Sequence, residues 1–259
     1  MNLLHSNILG EAKRDLLILH GFLGMSENWK THAKNWADMG FRVHLIDQRN
    51  HGRSFWSTSF SYDLMAEDLL RYCEAHQLQK FTLLGHSMGG KTAMHFACKY
   101  PQFIKNLIVA DIAPKTYAPH HQKILQGLSA LDFNQIKSRA AADAVLSTYV
   151  KEPEVRMFLL KNLYWVEPGK LGLRINIEVL RGASEAIGQN LSDTARSQVP
   201  SLFVKGELSE YILASDTPLI KHYFPNADQV TIAGAGHWLH AEKPKIFFDT
   251  VSQWLLDRI

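Results

Sequence analysis

The sequence has few cysteines, no long apolar run and no block of one charge. Its two cysteines, Cys73 and Cys98, fall within helical patterns, which suits small buried apolar residues in a reducing compartment. No apolar run approaches the roughly 18 residues that span a bilayer. The net charge is only +3, and Lys and Arg form no dense run of the kind that binds nucleic acid. We therefore expect neither a membrane span nor a nucleic-acid partner.

Several other signatures are missing as well. The first residues lack the basic start, long apolar stretch and small-residue cleavage site of a signal peptide, so we expect a cytoplasmic protein. No His-Glu-x-x-His pattern or Cys/His cluster offers a metal site, and no glycine-rich phosphate-binding loop follows a predicted strand. The sequence therefore predicts neither a metal nor another cofactor.

Short apolar runs alternate with helical patterns along most of the chain. This alternation predicts an α/β fold, in which a mostly parallel central sheet carries helices on both faces. Residues 2–9 would add a leading strand at an edge of the sheet. The predicted strands are 16–19, 41–46, 81–84, 107–110, 201–204 and 229–232, of which the first, third and fourth should be buried on both faces. The predicted helices are 27–39, 62–77, 88–100 and 244–258.

The alternation stops after the fourth buried strand and resumes only at the fifth. Between them, small and apolar residues four apart predict a helix over 136–148, and Pro153 suits the first turn of a second helix over 152–163. Pro168 and Gly169 separate two apolar runs, which indicates a small hairpin. We therefore expect an α/β core interrupted by a mainly helical cap. The predicted domains are a core of residues 1–113 and 200–259 and a cap of residues 114–199.

A serine stands between two glycines at the end of the third predicted strand. The order Gly85-His86-Ser87-Met88-Gly89, followed by a helical pattern, is the G-x-S-x-G arrangement of a nucleophile elbow. Such a sharp turn brings the backbone on either side of the serine together, so a side chain at either glycine would collide. The hydroxyl is exposed beside the free N–H groups of the first helical turn. We expect Ser87 to be a nucleophile.

Two glycine-rich loops follow other predicted strands. The loop His20-Gly21-Phe22-Leu23-Gly24 can aim the N–H of Phe22 at the space above the serine, where with the N–H of Met88 it would form an oxyanion hole. A plain strand-to-helix turn is the alternative for this loop. His237 follows the last strand in a Gly-Ala-Gly-His-Trp loop, at the sheet edge where a catalytic base is needed.

The acid that would orient His237 has three candidates. Asp111 ends the strand after the elbow helix, whereas Glu207 and Glu210 lie in the loop after the next strand, where many such enzymes carry the acid. Ser209 stands at the usual aspartate place in that loop, and the two glutamates flank it out of register. We favour Asp111, for which the alternative role is to cap the turn before a proline.

Together these motifs resemble the α/β-hydrolase superfamily, and within it a subfamily of bacterial serine esterases typified by YbfF. In that subfamily the acid follows the strand after the elbow, and the resemblance carries this role onto Asp111. It implies a carboxylic ester or thioester hydrolase, with acyl-CoA among the candidate substrates, that forms an acyl-enzyme on Ser87 and needs no cofactor. The motifs are His20–Gly24, Asp47–Gly52, Gly85–Lys91, Asp111–Pro114 and Ala233–Pro244.

The same motifs are also compatible with other functions. The loop His20–Gly24, followed by Trp29, also resembles menaquinone-pathway synthases, so a lyase or carbon–carbon hydrolase is one alternative, although the placement of the acid argues against it. A cofactor-free perhydrolase is another, and a non-catalytic binding module a third. Epoxide hydrolases and dehalogenases are excluded because they carry aspartate where Ser87 stands.

The substrate is expected to be a small-molecule acyl ester or thioester, bound between core and cap. The acyl length, the leaving group and the oligomeric state are left open by the sequence. Lys91 is expected to be structural, and Arg49, His51 and Arg53 are expected to brace the loop after Asp47. The residues predicted to line the substrate pocket are His20, Trp165 and Trp238, with Met157, Phe158 and Tyr164 as further candidates from the cap.

Overall fold

Strands and helices alternate in the structure as the apolar pattern predicts. It is a computed structural model that describes residues 2–258. Met1 and Ile259, the outer limits of the predicted core domain, lie outside the described residues. The strands are β1 (Ser6–Leu9), β2 (Asp15–Leu19), β3 (Arg42–Ile46), β4 (Phe81–His86), β5 (Ile104–Ala110), β6 (Leu163–Glu167), β7 (Lys170–Leu173), β8 (Ser201–Gly206) and β9 (Ala227–Ile232).

The helices follow the same numbering along the chain. The α-helices are α1 (Lys30–Asp38), α2 (Tyr62–Ala75), α3 (Met88–Lys99), α4 (Gln122–Ser129), α5 (Arg139–Leu146), α6 (Pro153–Leu160), α7 (Ile177–Gly182), α8 (Ser184–Gly188), α9 (Thr217–Tyr223), α10 (Leu239–Glu242) and α11 (Pro244–Leu256). Short 3₁₀ turns cover Ser26–Trp29, Pro101–Phe103 and Ala214–Asp216.

Seven of the strands in the described residues form a sheet, in the order β1-β3-β2-β4-β5-β8-β9. β1 pairs antiparallel with β3, and the other pairs are parallel. The mostly parallel sheet, the six predicted strands and the leading edge strand are therefore confirmed, although β1 is shorter than the predicted 2–9 and β9, at the opposite edge, is largely exposed. The chain leaves β2 for one side of the sheet and reaches β4 on the other. Such a reversal opens a crevice beyond the carboxyl ends of the strands.

Side chains of the central strands are buried alternately on the two faces of the sheet. Leu17 and Leu19 pack with α2 and α3 on one face, whereas Leu16 and Ile18 pack with α1 and α11 on the other. Because both faces are covered, the strand positions are continuously apolar rather than alternating. This burial is why short apolar runs predicted the strands correctly.

The helix predicted over 27–39 is wrong in its first turn. Residues 26–29 form a 3₁₀ turn, and α1 begins only at Lys30. Side chains hold that turn in place: Asn28 Oδ1 accepts from the N–H of Met25 at 2.7 Å, and Asp47 Oδ1 accepts from the N–H of Ser26 at 2.7 Å. The second bond comes from a loop distant in sequence, so a local pattern could not reveal it.

Between β5 and β8 the chain forms a mainly helical segment, which we call the insert and define as residues 114–199. It contains helices α4 to α8 and the predicted hairpin, formed by β6 and β7. Buried leucines from its helices make a core of their own, which also contacts Phe22 and Met88. The limits of the insert as a separate cap domain stay a prediction.

Two helix bounds within the insert differ from the predicted ones. The helix expected over 136–148 begins at Arg139, because the side chain of Ser138 caps it by accepting the N–H of Ala141 at 3.1 Å. Ile136 lies in the preceding turn, where it is buried in the core of the insert. The helix expected over 152–163 ends at Leu160, since the chain soon turns into strand β6.

Two expectations drawn from composition concern membranes and cysteines. No helix within residues 2–258 combines the length and apolar character needed to cross a bilayer. Cys73 in α2 is buried, Cys98 in α3 is partly buried, and both thiols are free, as expected for small apolar residues. The cytoplasmic location stays a prediction.

The loop after β3 is braced by Asp47 and Arg49. The Asp47 carboxylate accepts the N–H of Arg53 at 2.9 Å, and Arg49 Nε donates to Asp68 at 2.5 Å. Gly52 lies directly against Asp47, with φ of +58°, so a Cβ there would overlap the carboxylate. The predicted bracing by Arg49 is confirmed, whereas Arg53 contributes through its backbone.

Two buried histidines join the loop after β2 to the loop after β3. His20 Nε2 accepts the N–H of Gln48 at 3.1 Å, and its Nδ1 donates to the carbonyl of Gly21 at 2.9 Å. His51 Nε2 accepts the N–H of Leu23 at 3.2 Å, and its Nδ1 donates to the carbonyl of Arg49 at 2.9 Å. Both rings are therefore neutral, with the proton on Nδ1. Burial lowers the pKa of His20 and lowers that of His51 to about 3.

We predict that acid destabilises the fold through these neutral rings. An unfolded histidine takes up a proton near its ordinary pKa of 6.5, whereas the folded His51 stays neutral down to about 3. The stability gained from the neutral ring is therefore present above pH 6.5 and is lost as the pH falls below it. His51→Gln keeps an oxygen acceptor but cannot be protonated. The free energy of unfolding of this variant, measured by urea denaturation from about pH 7 to about pH 5, should fall less steeply than that of wild type. Below about pH 6.5 the two slopes should differ by about 1.4 kcal/mol per pH unit. Parallel slopes in the two proteins would contradict the prediction.

Candidate active site

Ser87 occupies a strained turn between β4 and α3. Its φ of +53° and ψ of −117° are rare for a residue with a side chain, and its N–H donates to the carbonyl of Ala110 at 3.0 Å. A Cβ at Gly85 would overlap the backbone of Gly89, and one at Gly89 would overlap the carbonyl of Leu19. The predicted clash across the turn is therefore confirmed for Gly85, whereas Gly89 is required because the elbow lies against the end of β2.

Ser87, His237 and Asp111 form one chain of hydrogen bonds at the carboxyl edge of the sheet. His237 Nε2 lies 3.0 Å from Ser87 Oγ, and His237 Nδ1 lies 2.8 Å from Asp111 Oδ2. Asp111 is fully buried, and its φ is +50°. Its Oδ1 accepts the N–H of Gly206 at 3.0 Å, and its Oδ2 also accepts the hydroxyl of Ser209. The buried carboxylate therefore has three hydrogen-bond donors, and one of them is the imidazole that it orients.

The two alternative acids lie elsewhere. Glu207 is exposed, and its Oε2 accepts the N–H of Gly234 at 2.7 Å. Glu210 is exposed, and no hydrogen bond from it to His237 is found within residues 2–258. Ser209, at the place where aspartate was expected, instead donates to Asp111. The sequence indicated that the acid is missing there but not that the serine serves the acid next to it.

Three further residues hold His237, and the sequence patterns did not identify them. Glu242 accepts the N–H of Gly236 at 2.6 Å and that of Trp238 at 3.1 Å, so it fixes the backbone on both sides of His237. His86, beside Ser87, donates from Nε2 to the carbonyl of His237 at 2.9 Å. Burial lowers the pKa of His86 to about 3, so this ring is neutral. The bond from His86 to the carbonyl of His237 joins residues far apart in the sequence, so no local pattern predicts it.

The third of these residues is Tyr211, which lies in the loop after β8. Its ring stacks on that of His237, with centroids 3.8 Å apart and planes inclined by 16°. This contact limits the rotation of the imidazole out of the plane it shares with Asp111. Nothing in the order of residues around Tyr211 predicts the stacking.

The loop after β2 lies beside the elbow, whose helix α3 begins at Met88. Leu23, the next residue, has a φ of +60° and is held from both sides. Its N–H donates to His51, and its carbonyl accepts from Asn162 Nδ2 of the insert at 2.8 Å. Gly21 packs directly against Ser87 and His86. The two hydrogen bonds of Leu23 hold the loop that carries Phe22 in place. The assignment of Phe22 and Met88 as oxyanion donors stays a prediction.

A cavity of about 680 Å³ lies between this edge of the sheet and the insert. Ser87 and His237 both line it, and the insert contributes apolar and aromatic side chains together with two lysines, two glutamates and two histidines. A second cavity, of about 20 Å³, adjoins Ser87 on another side. The apolar residues that line the larger cavity include Phe22, Leu23, Trp29, Ile124, Val155, Met157, Phe158, Leu159 and Trp238.

Of the three residues predicted to line the pocket, His20 and Trp238 line the larger cavity, as do Met157 and Phe158. Trp165 lines neither of these two cavities. It lies near the turn of its hairpin and is 56% exposed, and its place at the substrate pocket stays a prediction. Tyr164 is also absent from both cavities; its ring lies 4.4 Å from the guanidinium of Arg174.

Lys91 is buried in α3, consistent with the structural role expected for it. Its Nζ donates to the carbonyls of Lys115 at 2.5 Å and Gln189 at 3.0 Å. Burial lowers the pKa of this ammonium to about 7. Because both acceptors lie in the insert, Lys91 ties the elbow helix to it.

The described residues contain no group of three or more His, Cys, Asp or Glu side chains placed to hold a metal ion. That no cofactor is needed stays a prediction.

Known proteins resemble this chain along nearly its full length. The alpha/beta hydrolase fold family matches residues 16–244. A solved structure named marine microorganism esterase has a TM-score of 0.94 and 43% identity, covering 98% of this chain and 99% of its own. A putative esterase/lipase of Haemophilus influenzae is 35% identical, over 93% of this chain and 82% of its own. Esterase YbfF of Escherichia coli, typical of the predicted subfamily, is 31% identical over 93% of each chain. The chain therefore belongs to the α/β-hydrolase fold family.

Proposed function

We propose that this chain is a serine hydrolase that cleaves carboxylic esters or thioesters through Ser87, His237 and Asp111. The observation that carries the proposal is the continuous hydrogen-bonded chain of these three residues beside a large, mostly apolar cavity. The esterase and esterase/lipase names of similar proteins support ester substrates. The inference that thioesters, including acyl-CoA, are also substrates depends on the resemblance of the motifs.

In the first step, His237 Nε2 takes the hydroxyl proton of Ser87 while Oγ attacks the carbonyl carbon of the substrate. Asp111 holds the proton of His237 on Nδ1, which leaves Nε2 free to accept. The carboxylate also stabilises the positive ring that forms. The carbonyl oxygen becomes an oxyanion and accepts the N–H groups of Phe22 and Met88, each donor contributing about 3–4 kcal/mol in enzymes of this kind.

Collapse of that intermediate breaks the bond between acyl carbon and leaving group. His237 gives its proton to the departing oxygen or sulfur, and the acyl group stays on Ser87. A water then loses a proton to His237 and attacks the acyl-enzyme, which releases the acid and returns the proton to Ser87.

The position of Asp111 after β5 argues against the menaquinone-pathway synthase alternative, as the sequence resemblance implied.

The nucleophile can be tested by covalent labelling. A fluorophosphonate probe should label folded wild type on Ser87, located by mass spectrometry of the digested protein, and Ser87→Ala should remain unlabelled. Heat-unfolded wild type is the control, since activation of Ser87 needs His237 nearby. Folded protein that stays unlabelled would rule out the serine-hydrolase proposal and favour a non-catalytic binding module.

The acid can be tested with a pair of matched substitutions. Asp111→Asn should lower kcat on a p-nitrophenyl ester by about 10³–10⁴-fold, because an amide cannot hold the required imidazole tautomer. Glu210→Gln should keep near-normal activity, since that side chain is exposed. Urea denaturation of both variants checks that they are folded. Normal turnover by Asp111→Asn together with loss in Glu210→Gln would reassign the acid.

Glu242 should act as a positioning residue for His237. Glu242→Gln keeps one carbonyl oxygen, so it can accept from Gly236 or Trp238 but not from both. We expect kcat to fall by about tenfold with KM nearly unchanged, because the base loop loses its alignment. The rate of fluorophosphonate labelling should fall in parallel.

The control for this experiment is Glu207→Gln. Glu207 accepts a single N–H, that of Gly234 in the same loop, and an amide oxygen can replace it. Activity should therefore be retained in this variant. Equal losses in the two variants would mean that Glu242 supports the fold of the loop in general rather than the alignment of His237.

A further inference from the structure

Two cavities of very different size meet at Ser87. The larger has a volume of about 680 Å³, and the smaller, about 20 Å³, has room for roughly one water-sized group. Phe22, Ser87 and Tyr211 border both of them. A substrate attacked by the serine can therefore direct one part into each cavity, and the parts must differ greatly in size.

The position of His237 decides which part of the substrate lies where. His237 and Trp238 line the larger cavity and are absent from the smaller. The leaving group must receive its proton from His237 Nε2, so it departs on the side of the larger cavity. The acyl substituent occupies another corner of the tetrahedral carbon, away from His237. That corner faces the smaller cavity, which is bordered by Met88 of the elbow helix.

The walls of the smaller cavity are fixed by hydrogen bonds and burial. The Tyr62 hydroxyl donates to the carbonyl of Ile187 at 2.6 Å, which ties α2 to α8 of the insert. The Tyr117 hydroxyl donates to the carbonyl of Tyr211 at 2.6 Å and accepts the N–H of Ala113 at 2.8 Å. Ile112, which also lines this cavity, is 4% exposed. Enlarging the cavity past these residues would require breaking buried contacts, so it discriminates against long acyl chains.

The larger cavity has the opposite character. Val155, Met157 and Phe158 of α6 form one wall, and Trp238 faces Phe158 with ring centroids 5.9 Å apart. Met157 is 64% exposed, which indicates that this wall reaches solvent. A bulky apolar group can enter here and gain free energy by leaving water.

We propose that this protein selects esters in which a short acyl group, of about acetyl size, is joined to a larger apolar alcohol or thiol. This specificity rests on the proposed function. Ser87 Oγ forms a bond to the acyl carbon, the bond from that carbon to the leaving oxygen or sulfur breaks, and His237 passes the serine proton to the leaving atom. Water then supplies a hydroxyl group to the acyl carbon and a proton to Ser87, so the products are a short carboxylic acid and a bulky alcohol or thiol.

The specificity can be tested with two series of esters, each below its micelle concentration. The first series varies the acyl group of 2-naphthyl esters from acetyl through butanoyl to octanoyl, and the second varies the alcohol of acetates from methyl to octyl. We expect kcat/KM to fall by about 100-fold or more from acetyl to octanoyl. It should rise by about tenfold or more from methyl to octyl acetate.

Two variants separate the roles of the cavities. Ile187 lines only the smaller cavity, so Ile187→Ala should raise the butanoyl-to-acetyl ratio of kcat/KM by about tenfold, while its backbone still accepts from Tyr62. Phe158 lines only the larger cavity. Phe158→Ala is the matched control; it should leave the acyl ratio unchanged and reduce the preference for octyl over methyl acetate.

The outcomes distinguish this inference from the proposed function. Faster turnover of the octanoyl than of the acetyl 2-naphthyl ester by wild type would overturn the assignment of the cavities and leave the serine-hydrolase proposal intact. So would an acyl ratio that responds to Phe158→Ala and not to Ile187→Ala. If wild type turns over no ester and Ser87 resists the fluorophosphonate probe, the proposed function fails, and the inference fails with it.

Discussion

Burial of the Asp111 carboxylate is the constraint on which the arrangement of the site depends. A fully buried carboxylate is tolerated only when donors replace the water it has lost. Here the donors are the backbone of Gly206, the hydroxyl of Ser209 and the imidazole of His237. They come from the last residue of β8 and from the loops that follow β8 and β9, so one carboxylate holds both loops at the end of β5. The same requirement directs His237 toward Ser87.

The remaining loops are held by hydrogen bonds from other polar side chains. His20 and His51 connect the loop after β2 to the loop after β3, and Asn162 connects it to the insert. Glu242 and His86 hold the backbone around His237. A parallel sheet brings the carboxyl ends of its strands to one edge, so the loops that follow them can form hydrogen bonds with one another. The site is thus positioned by contacts between loops, and the insert both covers it and supports it.

Sequence patterns failed where a contact from elsewhere in the chain decided the local structure. The first turn of the helix predicted over 27–39 is a 3₁₀ turn because Asp47 holds it. Ser209 and Tyr211 contact Asp111 and His237 in space, and their neighbours in sequence do not indicate it. Such contacts join residues that lie far apart in the sequence, so no local periodicity predicts them.

The sequence by itself determined which segments form strands, the elbow at Ser87 and the fold class. Buried strands need continuous apolar runs, and the sharp turn needs Gly85 because a Cβ there would meet the backbone of Gly89, so a local pattern reveals both. Only the tertiary structure decided that Asp111 rather than a glutamate of the next loop meets His237. It alone also decided the unequal sizes of the two cavities. Both depend on how the insert and the loops pack over the sheet, because a cavity is what packing leaves unfilled.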